Sequence, residues 1–289
     1  MAKVDRRLPG NAAGNFYVDD TCIDCDLCRQ IAPDSFTFGD GGYSVVSRQP
    51  ANREEYRRAA MALIACPTGS IGAERKVDVR DYREAYPDAV DGGVYFCGYA
   101  SRDSFGGASY LIVRPDGNVL VDSPRFARTL VERLEELGGV STMFLTHRDD
   151  VADHERFRRH FGCERIIHRD EGRGIRVERV LEGDEPVPMA PGLTAIPTPG
   201  HTKGHMALHY LDRFLFTGDH LAWSPRYGHL IAFRRHNWYS WPETIRSMER
   251  LAAYRFEWVL PGHGRRAFFP AAEMRRELVR CVSWMKQLA

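Results

Sequence analysis

The stretch THRDDVADH, residues 146–154, places two histidines and three aspartates within nine positions. It follows directly on the apolar run Met143-Phe144-Leu145, which is typical of a buried strand. A buried strand that opens into imidazole and carboxylate groups predicts a loop of metal ligands. These donor atoms suit zinc, iron or manganese. A solvated acidic loop is the alternative interpretation of this stretch taken alone.

Three later stretches have the same pattern, in which an apolar run is followed by a histidine or an aspartate next to glycine. They are IPTPGHTKGH at residues 196–205, FLFTGDH at residues 214–220 and WVLPGHG at residues 258–264. Core histidines are not expected to recur in that setting. The four stretches together predict a metal site at the ends of neighbouring strands.

The residues before the first stretch predict α/β layers. Residues 110–113 and 118–122 are predicted strands joined by a turn at Pro115-Asp116-Gly117. Residues 129–137 form a predicted amphipathic helix that Gly138-Gly139 ends. Strands that alternate with helices favour an α/β class.

Residues 93–270 resemble the metallo-β-lactamase superfamily in these four motifs. The resemblance implies an αββα sandwich with two metals at one edge of the paired sheets. It implies that Asp219 bridges the metals. Asp219 and the neighbouring His220 are the predicted catalytic residues, His220 as a proton donor if it faces the cavity. The implied terminal ligands are His147, Asp149 and His201 for one metal, and Asp153, His154 and His263 for the other.

The first motif departs from the family pattern His-x-His-x-Asp-His. This chain has His147-x-Asp149, and its Asp153-His154 pair comes two residues later than expected. Asp149 is the predicted replacement for the second histidine, with Asp150 as the competitor. Two imidazoles and a carboxylate on each metal favour non-heme iron, with zinc or manganese as alternatives. Flavodiiron proteins of the same superfamily also have a carboxylate here, without the insertion.

A cysteine cluster near the N-terminus predicts a second cofactor. Cys22, Cys25 and Cys28 form a C-x2-C-x2-C run, and Cys66-Pro67 follows a predicted helix at residues 52–65. Three thiolates on one loop and a distant fourth are typical of an iron–sulfur cluster. A zinc site would more often show two C-x2-C pairs, and unligated cysteines are the other alternative. Residues 14–74 resemble single-cluster bacterial ferredoxins, which implies one [4Fe-4S] cluster that transfers one electron at a time.

The chain is therefore expected to be an α/β protein in which a small α+β ferredoxin-like domain precedes a metallo-β-lactamase sandwich. The predicted boundaries are 1–76 for the ferredoxin-like domain, 77–92 for a charged linker and 93–289 for the domain with the dinuclear site. The linker rests on its charged residues, a proline and the pair Gly92-Gly93.

The overall composition excludes some functions. With 289 residues, 43% of them hydrophobic, and a net charge of +1, the chain can bury a core but presents no strong field for nucleic acid or an anionic membrane. No apolar stretch is long enough to span a bilayer, and no leader pattern begins the chain. We expect a cytoplasmic protein whose partners are oxygen or a small molecule and an external electron donor. A homodimer is an open alternative.

Other polar and aromatic residues have competing interpretations. His205 is expected to hydrogen-bond the loop of His201, and the run HNWYSW at residues 236–241 either packs in the core or forms a substrate wall. Cys97 faces the metal cavity or is a buried structural thiol, whereas Cys163 and Cys281 are expected to be structural.

Two enzymatic hypotheses follow. In the first, the cluster supplies electrons to a diiron centre that activates oxygen or reduces a small substrate. In the second, two metals activate a water that attacks an ester, thioester or amide. A metal-binding or sensing module without turnover is a third alternative.

Overall fold

Short strands and helices alternate along the chain, and their packing divides it into two units. The computed structural model describes residues 2–172 and 174–288. The first unit is Met1–Val140 with Ala152–Phe161, and the second is Ser141–Val151 with Gly162–Ala289. No helix in the described ranges is both long and apolar enough to cross a membrane.

The first unit contains two small two-stranded antiparallel sheets and a four-stranded meander. Its strands are β1 (Phe16–Val18), β2 (Phe36–Phe38), β3 (Ser44–Val46), β4 (Ile71–Ala73), β5 (Asp88–Asp91), β6 (Val94–Phe96), β7 (Tyr110–Ile112) and β8 (Val119–Val121). Its helices are α1 (Leu27–Ile31), α2 (Arg53–Ala65), α3 (Arg128–Glu136) and α4 (His154–Phe161). Strand β1 pairs with β4, β2 pairs with β3, and β5 to β8 pair in sequence, all antiparallel.

Helix α2 carries the fourth cysteine to its place. The Asn52 side chain caps the helix by accepting a hydrogen bond from Glu55 N at 2.9 Å, while the Glu55 carboxylate accepts from Ala51 N at 2.8 Å. Such reciprocal capping fixes where a helix begins. The alanine-rich body of α2 is buried, and Cys66 is the C-cap residue.

The segment 77–92, predicted as a linker, is structured. It contains a 3₁₀ helix at Val79–Ala85, the fully buried Tyr86 and strand β5. The Tyr86 hydroxyl donates a hydrogen bond to Met61 O of α2 at 3.2 Å. The charged composition of this segment predicted an exposed linker. Instead, the buried Tyr86 packs the segment against the preceding residues. The domain boundaries themselves stay a prediction.

The second unit contains a six-stranded sheet, a three-stranded parallel set and two helices. Its strands are β9 (Thr142–Phe144), β10 (Glu164–His168), β11 (Arg179–Leu181), β12 (Val187–Ala190), β13 (Leu193–Pro197), β14 (Met206–Tyr210), β15 (Phe214–Gly218), β16 (Ala222–Ser224), β17 (His229–Ile231), β18 (Trp258–Pro261) and β19 (Ala267–Phe268), and its helices are α5 (Trp241–Leu251) and α6 (Ala271–Gln287). The large sheet has the order β12-β13-β14-β15-β18-β19. Strand β10 pairs in parallel with both β9 and β11.

The core of the second unit lies between this sheet and its helices. Alternate sheet residues such as Leu215 and Val259 pack with Met248 of α5 and with Leu278 and Cys281 of α6 in one buried cluster. Strand β15 is buried along its whole length. Burial on both faces explains why the sequence shows a continuous apolar run here rather than alternation.

Candidate functional site

Three strand ends meet at one edge of the six-stranded sheet. Strands β15 and β18 are parallel, so Asp219 and His263 leave the sheet on the same side. Strand β13 is antiparallel to β14, which is antiparallel to β15, so β13 ends at that edge too and leads into the loop of His201. Met206 N donates to Thr146 O at 2.9 Å, which fixes the residue before His147 against the start of β14.

Asp219 lies at the centre of the converging side chains. Its Oδ2 is 3.7 Å from His147 Nε2, 3.7 Å from His201 Nε2 and 3.8 Å from His263 Nε2. These separations are too long for hydrogen bonds. Two metal–ligand bonds of about 2.1 Å place their donor atoms roughly 3.4–3.8 Å apart at tetrahedral or wider angles. The spacing therefore fits a carboxylate that shares metal ions with three imidazoles.

The first ligand group consists of His147, His201 and Asp219. The two imidazole rings are perpendicular, with centroids 4.9 Å apart. Thr146 Oγ1 lies 3.0 Å from His147 Nδ1, which orients the ring and leaves Nε2 for a metal. His147 Nε2 is buried and, within the described ranges, makes no hydrogen bond. Asp149 Oδ2 lies on this side, 3.5 Å from His201 Nε2, and its role as a metal ligand stays a prediction.

The second ligand group consists of Asp150, Asp219 and His263. Asp150 Oδ1 lies 3.9 Å from His263 Nε2. Glycine is needed at position 262, because a Cβ there would lie 2.7 Å from Asp150 Oδ2 and 2.9 Å from Asp219 Oδ1. The Gly-His-Gly motif thus allows the two carboxylates to approach the backbone closely.

Within the described residues, neither ligand group includes Asp153 or His154, whose predicted role as ligands stays a prediction. Asp153 Oδ2 accepts a hydrogen bond from Phe126 N at 2.7 Å, and His154 is buried at the first turn of α4. The 3₁₀ turn at Arg148–Asp150 instead directs the buried Asp150 to the place that the sequence analysis gave to Asp153.

Single substitutions distinguish these ligand sets. We expect Asp150→Ala to lose the metal of the His263 group, and Asp149→Ala to weaken binding in the His147–His201 group by about 10- to 100-fold. Asp153→Ala should keep both metals, because this carboxylate already serves a backbone amide. The measurement is metal per chain after anaerobic reconstitution. If Asp153→Ala loses one metal and Asp150→Ala keeps both, then Asp153 is the ligand, as the sequence predicted.

Glu171 joins the loop that follows β9, which carries His147, to the loop of His201. The sequence did not predict this role. The side chain is fully buried, and it accepts hydrogen bonds from Arg148 N at 3.1 Å, Arg148 Nε at 2.8 Å and Gly204 N at 2.7 Å. Burial opposes its ionisation, but these donors and Thr202 lower its pKa below the usual range. The signal was available, because HRDEG at 168–172 repeats the pattern of a strand that ends in acidic residues.

Two further histidines lie behind the ligands. His205 Nδ1 is 2.8 Å from Thr198 Oγ1, and its Nε2 accepts from Asp219 N at 3.3 Å, which confirms its predicted role in hydrogen-bonding the loop. His220 is fully buried with its ring 5.2 Å from that of His205. Burial lowers the pKa of His220 to about 3, so the ring is neutral near pH 7. Its catalytic role stays a prediction.

An exposed aromatic residue borders the His201 side. Trp238 is 64% exposed, and its ring centroid is 6.3 Å from that of His201. Trp238 N and Tyr239 N both donate to His201 O, at 2.8 Å and 3.1 Å. Core packing does not describe Trp238, because most of its surface faces solvent. The ring is placed to contact a molecule that approaches the first ligand group.

The predicted cluster ligands surround one cavity. Cys22, Cys25, Cys28 and Cys66 line it together with apolar residues such as Ile71. Ser70 N donates to Cys66 Sγ at 3.3 Å, as expected for a ligating thiolate. A tetrahedral zinc site needs sulfurs roughly 3.8 Å apart. No three of these sulfurs lie within 4.8 Å of one another in the described structure. The wider spacing fits a cluster.

The remaining cysteines lie elsewhere. Cys97, Cys163 and Cys281 are fully or almost fully buried, and Cys281 belongs to the core cluster under α6. Burial raises the pKa of Cys97 to about 12, which keeps it a thiol. A structural role describes these residues better than metal binding.

The family comparisons agree with this division of the chain. Residues 96–282 match the model of the metallo-beta-lactamase superfamily, and residues 18–73 match the model of the 4Fe-4S single cluster domain of ferredoxin I. Together they imply an iron–sulfur cluster and divalent metal ions. Both expectations of family from the sequence are confirmed.

Solved structures show the same fold. DIM-1 metallo-β-lactamase exposed to ceftazidime aligns with a TM-score of 0.56 at 16% identity, over 70% of this chain and 96% of its own. A metallo-β-lactamase from Hirschia baltica gives 0.53 at 18% identity, over 68% and 95%. TMB-1 gives 0.55 at 14% identity, over 69% and 97%. At such identities the likeness concerns the fold alone, and it confirms the predicted mixed α/β metallo-β-lactamase class.

Proposed function

The chain belongs to the metallo-β-lactamase superfamily, and from this we propose that it is a diiron oxidoreductase that uses electrons from its own [4Fe-4S] cluster. Its substrate is oxygen or another small molecule. The observation that carries the proposal is the carboxylate-rich donor set, because Asp149 lies beside His147 and His201 where the family usually has a third imidazole.

The donor set is more typical of iron sites than of zinc sites. The two groups use three imidazoles and the carboxylates of Asp149, Asp150 and Asp219. The His263 group holds one imidazole and two carboxylates. The set predicted from sequence had two imidazoles, so the observed group offers a larger share of hard oxygen donors. Oxygen-rich sites without thiolate suit iron and manganese, and two imidazoles with a carboxylate are typical of non-heme iron. A bound iron pair would supply redox chemistry and open positions for a small ligand.

The described side chains also indicate where a substrate enters. The Asp149 side chain is 47% exposed and that of His263 is 22% exposed, whereas His147 is fully buried. Access is therefore from the side of Asp149 and His263, with Trp238 at the rim. His205 and Thr198 lie behind the ligands and fix them rather than meet the substrate.

A fused electron carrier supports oxidoreduction. A cluster held by Cys22, Cys25, Cys28 and Cys66 would supply one electron at a time, so the reduction of a bound ferric pair would need two electrons in turn, each replaced by an external donor. Attachment to the same chain gives the cluster a high effective concentration. A hydrolase needs only a Lewis acid and gains nothing from this arrangement.

The alternative is a hydrolase, and the names of two of the similar structures favour it, since DIM-1 and the protein from Hirschia baltica are both metallo-β-lactamases. Two metals with Asp219 between them would lower the pKa of a bound water for attack on an ester, thioester or amide. The fused cluster would then have a structural or sensing role.

Coupled reoxidation tests the proposal. The anaerobic iron-loaded protein is reduced, the ferrous pair is confirmed by spin-resonance and Mössbauer spectra, and oxygen is admitted while both centres are followed. We expect the cluster and the ferrous pair to reoxidise together. The matched control is Cys66→Ser, in which the [4Fe-4S] cluster should be lost or converted, so that its ferrous pair should reoxidise without being reduced again by the external donor. A zinc-loaded protein that cleaves thioesters equally well with its cluster oxidised or reduced would refute the oxidoreductase.

A further inference from the structure

The cysteine loops are covered by a segment that belongs to the other family match. Ser101–Gly107, the 101–107 loop, lies within the metallo-β-lactamase match, whereas the four cysteines lie within the ferredoxin match. A Cβ at Gly106 would lie 2.7 Å from Cys25 Cβ, 3.1 Å from Cys25 Sγ and 3.2 Å from Pro67 Cγ. The Gly106 backbone thus fills the notch between the first cysteine loop and the residue after the fourth cysteine.

The 101–107 loop is held in this position by its own hydrogen bonds. Gly106 N donates to Ser101 O at 2.8 Å, Gly107 N to Ser104 O at 2.7 Å and Asp103 N to Ser101 Oγ at 3.2 Å. Gly106 has φ of +85°, a left-handed conformation that L side chains rarely adopt. Both the close approach and the backbone conformation require glycine.

A shared core keeps this segment against the cysteine loops. The buried Tyr86 donates to Met61 O and packs edge-on against Phe96 and Tyr99, at centroid distances of 5.8 Å and 5.9 Å. Arg125 Nη2 donates to Ile64 O at 3.2 Å, two residues before Cys66. The contacts belong to one packing unit, so the cover over Cys25 is part of a built surface.

We propose that the 101–107 loop is part of the cluster's binding site and that Gly106 shields Cys25 Sγ and the Cys66–Pro67 turn from water. Solvent exposure and the surroundings of the ligating sulfurs govern the potential and lifetime of iron–sulfur clusters. The loop therefore sets both properties. This role is independent of the reaction that the dinuclear site performs, because it concerns the cluster alone.

The test adds one methyl group at the notch. In the full chain, Gly106→Ala should bleach about tenfold faster under air or chelator than the wild type, because the added carbon must displace Cys25 or open the loop. The spin-resonance spectrum of its reduced cluster and its midpoint potential should also change. Gly42→Ala is the matched control, since Gly42 has a similar φ of +81° but its Cβ would meet nothing within 4 Å. It should keep the wild-type spectrum, potential and bleaching rate.

Each result supports or overturns the proposal. A Gly106→Ala protein with wild-type spectrum, potential and bleaching rate would overturn it, and so would equal cluster loss in Gly42→Ala. If Gly106→Ala does not fold, as judged by circular dichroism, the bleaching rate of Ser101→Ala tests the proposal instead. This variant removes the acceptor of Asp103 N without adding an atom, and faster bleaching in a folded protein is expected. An unchanged rate in that variant would refute the role of the loop.

Discussion

Asp219→Ala should reduce the metal content of the dinuclear site from about two ions per chain to less than one. A single oxygen of this carboxylate lies within 3.8 Å of the Nε2 atoms of three histidines in both ligand groups. Without it, each group loses a ligand and the two cations lose the negative charge that offsets their repulsion. We expect affinity for the weaker-bound ion to fall by at least about 100-fold.

Metal analysis after anaerobic reconstitution and dialysis measures this effect, and circular dichroism shows that the variant is folded. The matched control is Asp184→Ala, because Asp184 is an exposed aspartate of the same unit and lies outside both ligand groups. Asp184→Ala should retain two ions. Two tightly bound ions in Asp219→Ala would show that the carboxylate does not bridge.

Cys66→Ser should abolish or convert the [4Fe-4S] cluster and leave the dinuclear site loaded. The sulfur of Cys66 lines the same cavity as the other three cysteines and accepts a hydrogen bond from Ser70 N. Cluster iron and sulfide should fall from about four of each per chain to near zero, or to the content of a three-iron species. The two ligand groups share no residue with the cluster, so metal there should persist.

Iron and sulfide analysis, with spectra of the reduced and oxidised protein, measures this loss. Cys163→Ser is the control, because Cys163 is buried at the start of β10 and does not line the cluster cavity. It should retain the whole cluster. A folded Cys66→Ser protein that also lost its dinuclear metals would contradict the prediction that the two sites are independent.

The sequence was sufficient for several strands and for most of the candidate ligand residues that converge after them. Residues 110–113, 118–122 and 129–137 were predicted as strand, strand and helix, and the structure has β7, β8 and α3 there within one or two residues. Asp219 and His263 could be found because a buried strand followed by glycine and a polar residue forces that residue to the sheet edge.

The sequence could not predict which aspartate of the inserted loop lies beside His263. Asp149, Asp150 and Asp153 are chemically identical, and which one reaches His263 depends on a single 3₁₀ turn. The family motif favoured Asp153, but its carboxylate satisfies the Phe126 amide instead. The exposure of Trp238 was equally hidden, because aromatic residues near a core pattern are usually buried. Such outcomes depend on tertiary contacts that spacing does not encode.

Glu171 has a consequence for how the protein acquires its metals in a cell. Its carboxylate ties Arg148 and Gly204, and with them both ligand loops, through hydrogen bonds that involve no ion. Donor atoms that are already in place require little rearrangement, so affinities follow the general order in which copper and zinc exceed iron and manganese. We therefore expect the metal content of the purified protein to follow the metals supplied during growth, with zinc bound when the medium is rich in zinc.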